Sequence, residues 1–395
     1  MTIKLSARVQ SVKPSATLAI TARAKALKAE GKDVIGLGAG EPDFDTPEHI
    51  KAAAVAAIAA GFTKYTPVSG TPELKRAIVA KFERENALSY SPAEILVSCG
   101  GKQSFYNLAQ AVLDPGDEVV IPAPFWVSYP DMALLAGGAP VLVQAGADQQ
   151  FKITPRQLKG ALTDRTRLVV INSPSNPTGM AYSHAELVAL GEVLREFPRA
   201  FIATDDMYEH MRWDTATPFV NILNACPDLR PRTLVLNGVS KAYSMTGWRI
   251  GYAGGPAAVI KAMETIQSQS TSNPTSISQV AAQAALEGPQ AFIDTMRTAF
   301  KERHDLVVAG LNAIPGIECL PTDGTFYVFP KVQGLIDALP GINNDLELAE
   351  YLIEKVGVAL VPGSAFGAQG YARISIATAR TNLEQALERL AQAAA

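Results

Sequence analysis

From residue 95 to residue 241, short apolar runs alternate with stretches of helical periodicity, and few folds accept that rhythm. Ile95-Leu96-Val97 precedes Gly100-Gly101 and a helix over Lys102 to Leu113. Glu118-Val119-Val120-Ile121 runs into a proline-rich turn, and Leu168-Val169-Val170-Ile171 ends in Asn172 before a loop reaching Gly179. Ser183 with Glu186 spells a capping box for a helix ending near Phe197. Phe201-Ile202-Ala203-Thr204 then ends in Asp205, and Leu234-Val235-Leu236 in Gly238, Ser240 and Lys241. Such alternation predicts an α/β architecture, a mostly parallel sheet covered by helices on both faces. Ligands of open α/β sheets bind outside the carboxyl ends of the strands, so the polar endings Asn, Asp and Lys point to one place.

After about residue 290 the pattern becomes a long helix, a few strands and a terminal helix with Thr381 and Glu384 spaced as a cap. We expect a large domain over residues 46–289, and a smaller α+β domain from residues 1–45 with 290–395. The 395 residues suffice for two such units. A net charge of −3 argues against nucleic acid as the main partner. The longest apolar run, Ala52 to Phe62, is alanine-rich, helical and too short to cross a bilayer, so no membrane partner is expected.

Cys99, Cys226 and Cys319 are odd in number and far apart, and the four histidines are scattered. Neither a disulfide framework nor a metal site is expected, and a reducing compartment fits. Residues 1–29 hold six basic residues and no acidic one, a superficial likeness to a targeting leader. The helix through Lys25 to Glu30 runs straight into Val34-Ile35-Gly36-Leu37, however, so the expected location is cytoplasmic.

Several chemistries lose support from spacing. Gly36-Leu37-Gly38-Ala39-Gly40 fails the dinucleotide fingerprint because Glu41 stands where the third glycine belongs. Gly101-Lys102-Gln103 is no nucleotide-binding P-loop, since Leu96 and Gln103 replace required residues. Neither Gly-x-Ser-x-Gly nor Ser-x-x-Lys occurs. An anion site is better supported. Gly101-Lys102-Gln103 opens a helix after a strand, where free N–H groups and the helix dipole attract negative charge. Ser240 offers a hydroxyl and Arg249 a rigid fork of donors, both suited to phosphate.

The run Ser240-Lys241-Ala242-Tyr243-Ser244-Met245-Thr246-Gly247-Trp248-Arg249, with Asn176-Pro177-Thr178-Gly179 and Asp205-x-x-Tyr208, resembles the fold-type I aminotransferases that use pyridoxal 5'-phosphate. The resemblance runs from Lys13-Pro14-Ser15 to Arg373 and is closest to bacterial aspartate aminotransferases, some of which also accept prephenate. It implies that Lys241 forms a Schiff base with the cofactor aldehyde and later shuttles the substrate proton. It implies further that Asp205 holds the proton of the pyridinium nitrogen, keeping the ring an electron sink. Tyr208 and Asn176 are expected at the cofactor's phenolic oxygen, although Asn-Pro-Thr-Gly alone is a common turn. Gly101, Lys102, Gln103, Ser240 and Arg249 are expected around the phosphate, joined by Tyr65 of a neighbouring subunit, which implies a homodimer with shared sites. The resemblance places Trp126 against the ring face, although an aromatic after a strand is by itself more often a core residue.

For the substrate, the resemblance implies that Arg373, within an alternating strand, grips the α-carboxylate with help from Gly40, Asn176 and Trp126. Lys102 is expected at the distal carboxylate, against the alternative of a solvated first-turn lysine, and Lys13 is linked to prephenate use. Ser175 and the pair Asp206-Met207 depart from the usual pattern beside Asn176 and Tyr208. The expected reaction passes an amino group from L-aspartate to 2-oxoglutarate, giving oxaloacetate and L-glutamate. An aminotransferase for aromatic, alanine or kynurenine donors, or a β-lyase, is the alternative. A ligand-sensing regulator built on the same fold fits less well, because only about 45 residues precede the expected large domain.

Overall fold

The computed structural model describes residues 3–395, so the first two residues of the 1–45 segment lie outside the described residues. Twelve strands alternate with helices. They are β1 (Ile35–Gly36), β2 (Ile95–Ser98), β3 (Glu118–Ala123), β4 (Ala139–Gln144), β5 (Thr166–Asn172) and β6 (Phe201–Asp205). β7 (Thr233–Gly238), β8 (Gly251–Gly254), β9 (Tyr327–Val328), β10 (Val358–Ala359), β11 (Val361–Pro362) and β12 (Ala372–Ser375) follow.

Seven strands form one sheet in the order β2-β8-β7-β6-β5-β3-β4. β4, β3, β5, β6 and β7 are mutually parallel, whereas β8 runs antiparallel to both of its neighbours. Successive side chains of a strand point to opposite faces, which sorts the core in two. Val97, Val120, Val169, Ile171, Ile202 and Val235 enter one hydrophobic cluster; Leu96, Val119, Ile121, Leu168, Val170 and Leu236 enter the other. Leu187, Leu190 and Leu194 of helix His184–Arg195 cover the first face, and Phe105 and Leu108 of helix Gly101–Val112 cover the second. Both faces are therefore dry, as a parallel sheet requires.

The remaining strands make a small antiparallel sheet, β11-β12-β9, and the parallel pair β1–β10. Helix Ala291–Asn312 packs on helix Arg380–Ala393 beside them. The Ser183–Glu186 capping box forms as expected. The expected Thr381 cap does not. That helix starts at Arg380, and its N-cap Ala379 makes no side-chain bond. Glu384 instead accepts from Arg380 Nε at 2.8 Å one turn back. Nor does β12 alternate between core and solvent: all four of its residues are buried, because Ala372 and Ile374 pack into the core on one face and Arg373 lies against the Tyr327 and Phe366 rings on the other.

Candidate active site

The carboxyl ends of β5, β6 and β7 open into a cavity of about 920 Å³, counted with its open mouth. Gly40, Gly101, Lys102, Trp126, Asn176, Asp205, Tyr208, Ser240, Lys241, Arg249 and Arg373 all line it. Eleven residues spread from position 40 to position 373 thus meet in one space. The expected strand endings account for Asp205, Ser240 and Lys241, since parallel strands deliver their last residues to one edge, whereas Gly40 follows β1 and Arg373 lies on β12 of the small sheet.

Asp205, the last residue of β6, is buried. The Tyr129 hydroxyl donates to its Oδ2, and the Met207 amide donates to Oδ1 at 3.2 Å. Burial pushes this carboxyl upward, while the Tyr129 bond, the Met207 amide and the Lys241 charge hold it down. A cationic ring nitrogen beside it would favour the ionised form further. Its neighbour Asp206 faces the opposite way and bonds to Thr204 and Asn221, pushed up to about 8 mainly by burial.

Lys241 Nζ donates to the Gly40 carbonyl at 2.6 Å. Burial, then the charges of Arg373 and Arg249, lower its ammonium to about 8. Arg373 Nη1 donates to Asn176 Oδ1 at 3.0 Å and Nη2 to the Gly38 carbonyl at 2.8 Å. Its Nε is buried with no partner. A buried donor without an acceptor is costly. Asn172 Oδ1 accepts the Asn176 amide at 2.9 Å, and Asn172 Nδ2 donates to the Asp205 carbonyl, so one amide ties two site residues together. The Tyr208 and Tyr327 hydroxyls meet at 3.2 Å.

The bare start of helix Gly101–Val112 faces the same space. Its N-cap Gly100 has φ 87°, and a Cβ there would overlap the Arg249 guanidinium. Arg249 itself donates to the Thr246 carbonyl at 2.7 Å and the Cys99 carbonyl at 3.3 Å. Lys102 carries its ammonium 5.3 Å from the Trp126 ring, and burial followed by the Arg249 charge lowers its pKa.

Three expected residues stay outside the cavity wall. Gln103 turns away: its Oε1 accepts the Cys99 amide at 2.6 Å and its Nε2 donates to Thr271. Tyr65 is 92% exposed and far from enclosed by its own chain. Lys13 lies near Asp131, whose carboxyl feels the charges of both Lys13 and Lys102. Conversely, Ser15, Thr17, Asn172, Tyr129, Met207 and Tyr327 line the cavity without having been singled out for a role. Tyr129 lies three positions after Trp126, a spacing that put it within view, and Ser15 sits inside Lys13-Pro14-Ser15. Tyr327 carries no such signal.

The family model described as aminotransferase class I and II matches residues 32–390. An aspartate/prephenate aminotransferase of Nitrosomonas europaea is 60% identical over 394 residues, covering 98% of this chain and 99% of its own length. One of the same description from Cereibacter sphaeroides is 57% identical over 390 residues, covering 98% and 97%. The crystal structure of the aspartate aminotransferase of Rhizobium meliloti superposes with a TM-score of 0.95 at 51% identity, covering 100% of this chain and 99% of that one. The Thermus thermophilus aspartate aminotransferase with maleate gives 0.93 at 44% identity, covering 99% and 100%.

Proposed function

Because the chain belongs to the class I and II aminotransferases, we propose that it moves the amino group of L-aspartate to 2-oxoglutarate, with prephenate as a further acceptor. The observation that carries the substrate reading is a cavity with cationic donors from two separate elements: Arg373, whose Nε lacks a partner, and Lys102. A four-carbon dicarboxylate needs both, and the Thermus thermophilus relative was solved with maleate, a compound of that class.

Pyridoxal 5'-phosphate fits the residues present. Its phosphate matches the bare helix start at Gly100-Gly101, where a Cβ has no room, together with Ser240 and Arg249. Its ring nitrogen matches the buried Asp205 carboxylate, and its aldehyde the lowered Lys241 amine. When bound, the cofactor supplies an aldehyde for the amino group and a ring that accepts electrons from Cα. The protein does the rest. Arg373 binds the α-carboxylate, with Asn176 oriented by Asn172 and Gly40 alongside. Trp126 bounds the ring face and Lys102 takes the distal carboxylate. Lys241 Nζ lifts the proton from Cα and returns it one position away, Asp205 holds the ring-nitrogen proton, and Tyr208 with Asn176 donates to the phenolic oxygen.

The same proposal includes a homodimer in which Tyr65 reaches the partner's phosphate site, and domain limits at 46–289 and 1–45 with 290–395. Support for the dimer comes from Val55, Ile58 and Phe62, exposed apolar residues just before the exposed Tyr65. Lys13 is assigned to prephenate, from its place beside Asp131 near Lys102. A cytoplasmic location is proposed from three cysteines that are all unpaired. Among the described residues, no helix is long and apolar enough to cross a membrane. The test is steady-state turnover of the cofactor-loaded protein with varied donors and 2-oxoglutarate. Parallel double-reciprocal lines with aspartate are expected; inactivity with aspartate but turnover of aromatic donors would overturn the substrate reading.

A further inference from the structure

Lys81 has no exposure, lies on helix Pro72–Asn86 away from the cavity, and is used by none of the chemistry above. Its ammonium donates to Asn86 Oδ1 at 2.7 Å and is paired with Glu209 Oε1. Asn86 Nδ2 donates to the other oxygen of Glu209, and Asn237 Nδ2 donates to Oε1 at 2.8 Å. Asn237 Oδ1 in turn accepts the Gly238 amide at 2.7 Å. Glu85 and His210 border the group, bonded to each other at 2.9 Å. These acids and the imidazole could suggest a metal site, but the Lys81 ammonium already sits among them.

The position of the cluster gives it meaning. The β6–β7 ladder ends at the pair Asp205–Leu236, with one last bond from the Asp206 amide to the Leu236 carbonyl at 2.9 Å. Beyond it the two chains part. One turns through Tyr208 into Glu209; the other continues beside β8 through Asn237 and Gly238 toward Ser240 and Lys241. The Glu209 carboxylate rejoins them through Asn237, one residue after Tyr208 and four before Lys241. Burying an ammonium and a carboxylate is a poor source of stability, since the desolvation cost offsets the attraction. Fixing where two diverging strand ends lie is a better account.

We infer that Lys81 is a positioning residue for Tyr208 and Lys241, acting through Glu209 and Asn237 to hold the ends of β6 and β7 at a set separation. The inference rests on the roles proposed above for those two residues. Two single variants test it. Lys81→Met strands the Glu209 charge, and Asn237→Ser cuts the link while leaving the ion pair whole, so the second still reads if the first fails to fold. Hydrogen exchange of the Val239 to Lys241 amides in the cofactor-free protein should accelerate about tenfold in each. In the loaded enzyme kcat should fall about tenfold, with KM for aspartate within about twofold, since misplacement of reacting groups acts on the chemical step. Lys81→Met/Glu209→Gln removes the stranded charge and should restore the melting temperature, but without the ammonium both exchange and kcat should stay near the values of the single variants.

Unchanged exchange in both single variants overturns the inference whatever the activity. So does a double variant that regains full kcat and normal exchange, since the Lys81 ammonium would then be needed only to balance the Glu209 charge. Accelerated exchange in a protein whose wild type has no transaminase activity upholds the anchor and overturns the functional reading instead.

Discussion

Arg373 is held at the cavity wall by bonds from two of its nitrogens to Asn176 and Gly38, which sets a cation where an anionic substrate group can meet it. Truncating a buried charge that pairs with substrate costs on the order of 3–5 kcal/mol. Arg373→Ala should therefore lower kcat/KM for aspartate by about 10²- to 10⁴-fold. Single-turnover kinetics of the aspartate half-reaction check this, and near-normal turnover would remove Arg373 from the α-carboxylate. Lys241 makes a prediction in pH. A protonated amine is not a nucleophile, and burial has lowered this one from 10.5 to about 8. Uptake of the cofactor aldehyde by cofactor-free protein should therefore rise through pH 8 and level off, well below the range of an ordinary lysine. Stopped-flow absorbance reads that profile; a rise continuing to pH 10 would contradict the lowered value. Asp205 and Lys241 drew attention in the sequence because each follows an apolar run, but their roles, and the choice of Arg373, came from the family resemblance. Tyr327 did not gain a role there, since its partner Tyr208 lies 119 residues away; Asn172 was visible only as a polar strand ending, and its bonds to Asn176 and Asp205 needed the structure.

Alternating faces made the large sheet readable: Leu168 to Ile171 send neighbouring residues into opposite clusters. β8 escaped notice because Gly251-Tyr252-Ala253-Gly254 has none of the branched residues that mark a strand. Those glycines answer a crowding that pattern alone does not display. A Cβ on Gly251 would overlap the backbone of Gly100 and Gly101, where β8 passes under the start of helix Gly101–Val112. Gly251→Ala should thus push that helix start away from the anion cradle, at a stability cost of about 1–3 kcal/mol. Thermal unfolding should show the loss and a phosphate titration a weaker affinity; an unchanged phosphate affinity would dissociate the cradle from this packing. The misplaced cap at Thr381 has a similar origin. Its spacing to Glu384 was right, but the chain enters the helix two residues earlier, at Ala379.

For the whole molecule the decisive side chain is Tyr65, 92% exposed and bordered by exposed Val55, Ile58 and Phe62. If each site takes Lys241 from one protomer and Tyr65 from its partner, two crippled chains can repair each other. Mixing Lys241→Ala with Tyr65→Ala protein under subunit exchange should restore roughly a quarter of the sites, since half the dimers are mixed and each holds one intact site. Assays after refolding the mixture test this; activity no greater than the sum of the parents would exclude shared sites. No pattern within one chain reports a contact made only by two.

The bond from Lys241 Nζ to the Gly40 carbonyl crosses between the large sheet and the segment following β1, which pairs with β10. In the proposed Schiff base Nζ keeps at most one hydrogen and is drawn toward the cofactor. Loading the enzyme would then loosen this clasp, and the carbonyl so freed would be open to whatever hydrogen-bond donor next enters the cleft.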